Sequence, residues 1–170
     1  MDRPSHDPTQ RRPHGLGDAW VDGDRGRFWG TFGAAGLLLA HPQAGVLLQH
    51  RAVWSHHGGT WGVPGGARKQ DESAESAAIR EADEEAGVPP EFVKVLGESV
   101  FDVGYWSYTT VLAVATELFE PFVGDAESIA LSWVPIAEVA RLPLHPNLAV
   151  SWPELRAQLA RLDPALAPSD

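Results

Sequence analysis

The chain has 170 residues, 44% of them hydrophobic, enough for one domain with a sizeable core. Its formal net charge of −10 argues against a binder of nucleic-acid polymers, which carries a basic face, but leaves small phosphorylated ligands open. With no cysteine there is no disulfide framework, thiolate nucleophile or thiolate metal site, which is compatible with a cytoplasmic location.

Residues 1–26 are rich in Pro, Gly, Asp and Arg and read as a disordered or extended arm, with Trp20 and Val21 as the residues able to pin it to the domain or to a second subunit. A single domain is expected over 27–163 and a frayed tail over 164–170. Neither a membrane-length apolar run nor the apolar core of a signal peptide is present.

Phe32–Ala40 and Gly45–Ala52 are short apolar runs that predict two strands of one sheet. Arg51 closes the second, where it either offers a cation to a phosphate or lies along the surface. Trp54 to Thr60 is a loop by composition, and Trp61–Pro64 is a short extended piece leading into Gly65-Gly66. Asp71 or Ser73 then caps a helix whose Ala74, Ala77, Ala78, Ile79 and Ala82 form a stripe of small residues, and Gly87 with Pro89-Pro90 ends it. Lys94–Asp102 and Ser107–Glu117 predict a strand pair. A polar connection follows, then a strand over Ile129–Pro135, a short helix over Ile136–Arg141, and a final amphipathic helix capped by Ser151. These elements predict an α/β (α+β) sandwich, a mixed sheet flanked by helices.

Glu81, Glu84 and Glu85 stand at i, i+3 and i+4, so three carboxylates share one helix face near the C-terminal end, where both mutual repulsion and the helix dipole oppose them. Such a face is either a solvated surface or a site for a hard divalent cation that bridges carboxylates to substrate phosphates. Arg80 is placed to brace a carboxylate such as Glu72, and Gly65-Gly66 allows the backbone to come close to a ligand.

The stretch from Gly66 through Glu72, Arg80-Glu81 and Glu84-Glu85 to Gly87-Val88 resembles the signature box of the Nudix hydrolases at every fixed position. It departs softly at Ala82, where a larger aliphatic is usual, and at Asp71, where the family often has Gly. The resemblance implies an α/β/α sandwich and a hydrolase acting on the diphosphate of a nucleoside diphosphate derivative with Mg²⁺ or Mn²⁺. It implies metal ligation by Glu81, Glu84, Glu85 and the Gly65 carbonyl, and a bracing pair of Glu72 and Arg80. The general base is either a box glutamate or a later loop acid, for which Glu127 is the candidate and Glu120 and Asp125 the fallbacks.

Arg51, Tyr105 and Trp106 are the substrate-binding candidates, and Trp54 joins Trp106 as a possible base-stacking residue. Trp61, Trp133 and Trp152 read as core or strand residues, and His56-His57 as loop histidines near a substrate mouth. A MutT-type nucleoside triphosphate substrate, split to a monophosphate and pyrophosphate, is the expectation. Tyr105 keeps a dinucleoside polyphosphate open, with ADP-ribose or a nucleotide sugar as further alternatives. A nucleotide-sensing module without catalysis is the rival class. Partners are expected to be small nucleotides rather than nucleic-acid polymers or membranes, with the protein a monomer or homodimer.

Overall fold

The computed structural model describes residues 17–168. Their main sheet is mixed. Its strands run β5 (Trp61–Gly62), β4 (Gly45–Arg51), β3 (Ala34–His41), β8 (Ser107–Ala115), β7 (Val93–Asp102), with β6 (Gly65–Ala67) paired to β3 and β9 (Ser128–Val134) to β4. β3 and β8 are parallel and the other pairings antiparallel.

The two faces of β3 follow from strand alternation. Ala35, Leu37 and Leu39 point to the helix α1 (Ala74–Ala86), whereas Leu38 and Ala40 point to the helix α2 (Pro146–Leu162). α1 meets the sheet through Ala74, Ala77, Ala78, Ala82 and Ala86, all buried. Small side chains bring its axis close to the strands, so a larger residue there would overpack the layer. Ser73 caps the helix by accepting the N–H of Ser76, and Gly87 ends it in the left-handed conformation at φ 64°.

The opposite layer buries Leu148, Trp152, Leu155 and Leu159 of α2. This helix begins earlier than Ser151, the expected cap. His145 caps it instead, its imidazole accepting the N–H of Asn147, and Pro146 occupies a first-turn position where a missing N–H costs nothing. Pro153 consequently lies inside the helix. The expected frayed tail is also corrected within the described residues. Pro164–Leu166 forms a 3-10 turn that seats Leu166, only 2% exposed, in the same core as α2.

The first part of the expected arm lies outside the described residues. Its remainder forms a hairpin of β1 (Trp20–Gly23) and β2 (Gly26–Trp29). Within it Trp20 meets its cross-strand partner Trp29 edge-on at 5.1 Å, and outside it the Trp20 ring faces His56 at 6.4 Å. The hairpin rests on the β7–β8 turn. Phe28 stacks on Trp106 at 4.3 Å, and the Tyr105 hydroxyl donates to the Gly26 carbonyl and accepts the Arg25 N–H. No helix among the described residues is long and apolar enough to cross a membrane.

Candidate active site

The double glycine is a packing requirement. A Cβ on Gly65 would fall 2.4 Å from the Ala35 carbonyl oxygen, and one on Gly66 would fall 2.7 Å from the Glu81 carboxylate. Bare backbone lets β6 lie on β3 and lets Glu81 reach the strand. The connecting loop holds Asp71 at φ 61°, a left-handed conformation that Asp tolerates better than most residues.

Glu72 and Arg80 form a two-pronged pair, Nε to Oε2 and Nη2 to Oε1 both at 2.9 Å. The Lys69 N–H also donates to Glu72, and the Arg68 guanidinium holds the Glu72 carbonyl from two sides. The hydrogen bonds from Arg80 hold the Glu72 carboxyl below the usual glutamate range, and Glu72 in turn holds the guanidinium firmly charged. Arg80 also reaches the Ala67 carbonyl at 3.2 Å, tying loop, strand and helix together.

Its Nη1 contacts Glu81 at 3.0 Å and Glu84 at 3.5 Å. Both are therefore engaged by the arginine and stand outside the close carboxylate cluster found among the described residues. That cluster is Glu85, Asp125 and Glu127, whose ligand oxygens lie within 4.8 Å of one another. Glu85 is 5% exposed and accepts the Gly65 N–H at 3.1 Å.

Loop 117–127 reaches Glu85 because it is strapped to the end of α1. Helix C-termini leave carbonyls without intrahelical partners. Here the Gly124 N–H takes the Glu85 carbonyl at 2.9 Å and the Phe122 N–H takes that of Ala86 at 3.1 Å. From the sheet side, the Ala52 N–H donates to the Glu127 carbonyl at 2.7 Å. Asp125 accepts from the Glu127 N–H and from the Ser128 hydroxyl, which buried Gln49 contacts in turn. Three carboxylates held this closely, one of them buried, oppose one another's charge, and all offer hard oxygen ligands. They fit a hard divalent cation.

The remaining candidates divide. Arg51 ends β4 and donates through Nε to the His56 carbonyl at 2.9 Å. Its charge and that of Glu85 both act on Tyr108, whose hydroxyl lies over Gly36 where a Cβ would come within 2.0 Å. Burial, reinforced by Glu85, pushes the Tyr108 phenol up and keeps it a protonated donor. Tyr105 and Trp106 are committed to the hairpin. Trp106 is buried, with Nε1 donating to the Trp29 carbonyl at 3.2 Å. Trp54 is exposed, Trp152 is core, and Trp61 and Trp133 pack half-buried against the two cores. Tyr108 and His145 carried no local signal in the sequence. Each becomes notable only through residues distant in the chain.

The family model for the NUDIX domain matches residues 30–155. The chain is a Nudix hydrolase. It is 50% identical to "Putative 8-oxo-dGTP diphosphatase 3" of Mycobacterium tuberculosis, the match covering 88% of this chain and 76% of that protein. It is 44% identical to a nucleoside triphosphate pyrophosphatase/Nudix hydrolase fusion protein of Bifidobacterium longum, over 91% of this chain and 34% of the fusion. Among solved structures, a Nudix hydrolase from M. smegmatis, RenU, superposes with a TM-score of 0.79 at 49% identity, covering 85% of this chain and 96% of that one. As a Nudix hydrolase the protein is an enzyme that cleaves pyrophosphate bonds, and members of the family generally use a divalent metal ion.

Proposed function

We propose that this Nudix hydrolase cleaves a nucleoside triphosphate to a nucleoside monophosphate and pyrophosphate, with Mg²⁺ or Mn²⁺ as its ion. The observation that carries the reading is the carboxylate cluster of Glu85, Asp125 and Glu127 beside the Gly65–Ala67 strand. The relatives named for an 8-oxo-dGTP diphosphatase and a nucleoside triphosphate pyrophosphatase support a nucleoside triphosphate substrate.

Glu85, Glu81, Glu84 and the Gly65 carbonyl are the proposed metal ligands, and the closeness of Asp125 to Glu85 supports Asp125 as a further one. When bound, a divalent ion supplies charge neutralisation at the phosphates and acidification of water. Glu127 is the proposed general base, taking the proton of the water that attacks phosphorus in line with the leaving oxygen. Arg51 offers its guanidinium to a phosphate oxygen. Glu72 and Arg80 act as positioning residues, holding the loop, β6 and α1 in register.

The test is release of pyrophosphate and of nucleoside monophosphate from a panel of dGTP, 8-oxo-dGTP, dATP, ADP-ribose and a dinucleoside polyphosphate, with and without Mg²⁺. Metal-dependent turnover that favours a triphosphate supports the reading. Tight nucleotide binding without metal-dependent turnover of any of them would instead make the protein a sensor.

A further inference from the structure

The turn that follows β4 is tied at both ends to Arg51. The Arg51 N–H donates to the Thr60 carbonyl, and the Arg51 carbonyl accepts the Gly59 N–H, both at 2.9 Å. Inside the turn the Ser55 N–H and hydroxyl hold the Ala52 carbonyl, and His57 stands at φ 54°. The same turn carries His56, whose carbonyl accepts Arg51 Nε at 2.9 Å. That bond sets the plane of the guanidinium and so the direction of its terminal nitrogens. Backbone contacts place Arg51 beside the carboxylate cluster. It pairs with Ser128 across β4 and β9, and the Ala52 N–H that follows it donates to the Glu127 carbonyl.

Where His56 stands is decided by rings outside its own hydrogen bonds. His57 packs on it at 4.0 Å and rests on His145 at 4.5 Å. Trp20, from the hairpin, meets His56 edge-on at 6.4 Å. The Trp20 ring is itself held, with Arg27 over it at 4.9 Å and Asp22 paired to that arginine at 3.5 Å. A two-stranded hairpin alone is marginal in water. This one is fastened to the β7–β8 turn by Phe28 on Trp106 and by the Tyr105 hydroxyl on the Gly26 carbonyl. The hairpin thus ties the β7–β8 turn to the turn after β4.

We infer that Trp20 is a positioning residue for Arg51, its ring holding His56 and, through the His56 carbonyl, the guanidinium at the angle that meets a substrate phosphate. An arginine side chain has many rotamers, and freezing them on binding weakens its grip. A guanidinium aimed in advance loses less. The inference rests on the phosphate contact proposed above for Arg51 and adds the hairpin that aims it.

The experiment is steady-state kinetics with Mg²⁺ on the best-turned-over nucleotide of the panel, with thermal unfolding of every protein. Calorimetric affinity takes the place of KM for a nucleotide that binds without turnover. The variants are Arg51→Ala, Trp20→Ala, Trp20→Phe, His56→Ala and the double Trp20→Ala/Arg51→Ala. Arg51→Ala is expected to raise KM about tenfold, the scale of hydrogen bonds to a charged group. Trp20→Ala should raise it about fivefold with kcat little changed, because a grip on phosphate is shared by ground state and transition state. Trp20→Phe keeps a ring and restores most of the affinity. His56→Ala keeps the carbonyl but removes the ring that Trp20 meets, and should match Trp20→Ala. With Arg51 already replaced, Trp20→Ala adds nothing.

A wild-type KM in Trp20→Ala, or a full further rise in the double variant, would overturn the inference. So would a lower kcat and unfolding temperature at constant KM, which would confine Trp20 to holding the fold. If Arg51→Ala leaves KM unchanged, the proposed phosphate contact falls and the inference with it. If Arg51→Ala raises KM and Trp20→Ala does not, the contact stands and the inference alone fails.

Discussion

The carboxylates of Glu85 and Glu127 lie within 4.8 Å of each other, although one belongs to α1 and the other to the loop that precedes β9. Glu85 is buried and Glu127 half-buried, and backbone hydrogen bonds on both sides of the loop hold them together. Like charges this close repel, and the backbone anchors of the loop hold them in place.

Neutralising either one is expected to raise the melting temperature of the metal-free protein and to reduce turnover. Glu127→Gln should lower kcat by roughly 10²–10⁴-fold, the range for loss of a general base. Mg²⁺ should stabilise wild type in a thermal shift assay and stabilise Glu85→Gln much less. A Glu85→Gln protein that gains as much from Mg²⁺ as wild type would remove Glu85 from the ligand set.

Gly124 controls the loop. A Cβ at this position would fall 1.9 Å from the Glu84 carbonyl oxygen, which is rigid helix backbone. Gly124→Ala should therefore lift the loop and carry Asp125 and Glu127 away from Glu85. The expected result is a large fall in kcat, with weaker Mg²⁺ stabilisation and a cooperative fold. Unchanged kinetics in this variant would show that the loop acids act from elsewhere.

Breaking the Glu72–Arg80 pair leaves a partly buried guanidinium short of its two-pronged partner. Glu72→Gln is expected to cost about 2 kcal/mol, the scale of hydrogen bonds to charged groups, measured by urea unfolding at neutral pH. The pH dependence has a fixed sign. The Glu72 carboxyl is held below its ordinary 4.5, so its contribution is present above that value and is lost as pH falls through its lower native value. Wild type and Glu72→Gln should thus converge in stability at strongly acid pH. A constant gap would place the effect in packing.

His145 predicts a second pH window. Its pKa drops from an ordinary 6.5 to about 4 in the native protein, chiefly through burial, with His57, Arg51 and His56 adding to the effect. Below pH 6.5 the unfolded chain takes up a proton that the native protein refuses, so stability falls between those two values. In His145→Asn, thermal unfolding followed from pH 7 to pH 4.5 should show a shallower loss than in wild type. A parallel decline would assign the acid sensitivity to other groups.

The local part of this protein is legible residue by residue. Ser73, Gly87 and the alanine stripe specify α1, and the spacing of Arg80, Glu81, Glu84 and Glu85 along it sets where the helix carries their side chains, with Glu72 just before its cap. β3, β4, β7, β8 and β9 follow from apolar runs in the same way, because strand periods depend on neighbours a few residues apart, whereas β6 (Gly65–Ala67) is a strand only because it pairs with β3.

Which acids meet is another matter. On its own, the helix offers Glu81, Glu84 and Glu85 as one face. Packing hands the first two to Arg80 and sends Glu85 to Asp125 and Glu127, through a loop whose anchor is the Gly124 N–H on a helix-end carbonyl. Likewise His145 acquires its tautomer from a helix cap and its neighbour His57 from a turn far back in the chain, while Trp106 and Tyr105 are claimed by a hairpin that composition marked only as an arm. Contacts of this kind depend on loop closure and on which surfaces survive core packing. Those are properties of the whole folded chain, and no short window of residues contains them.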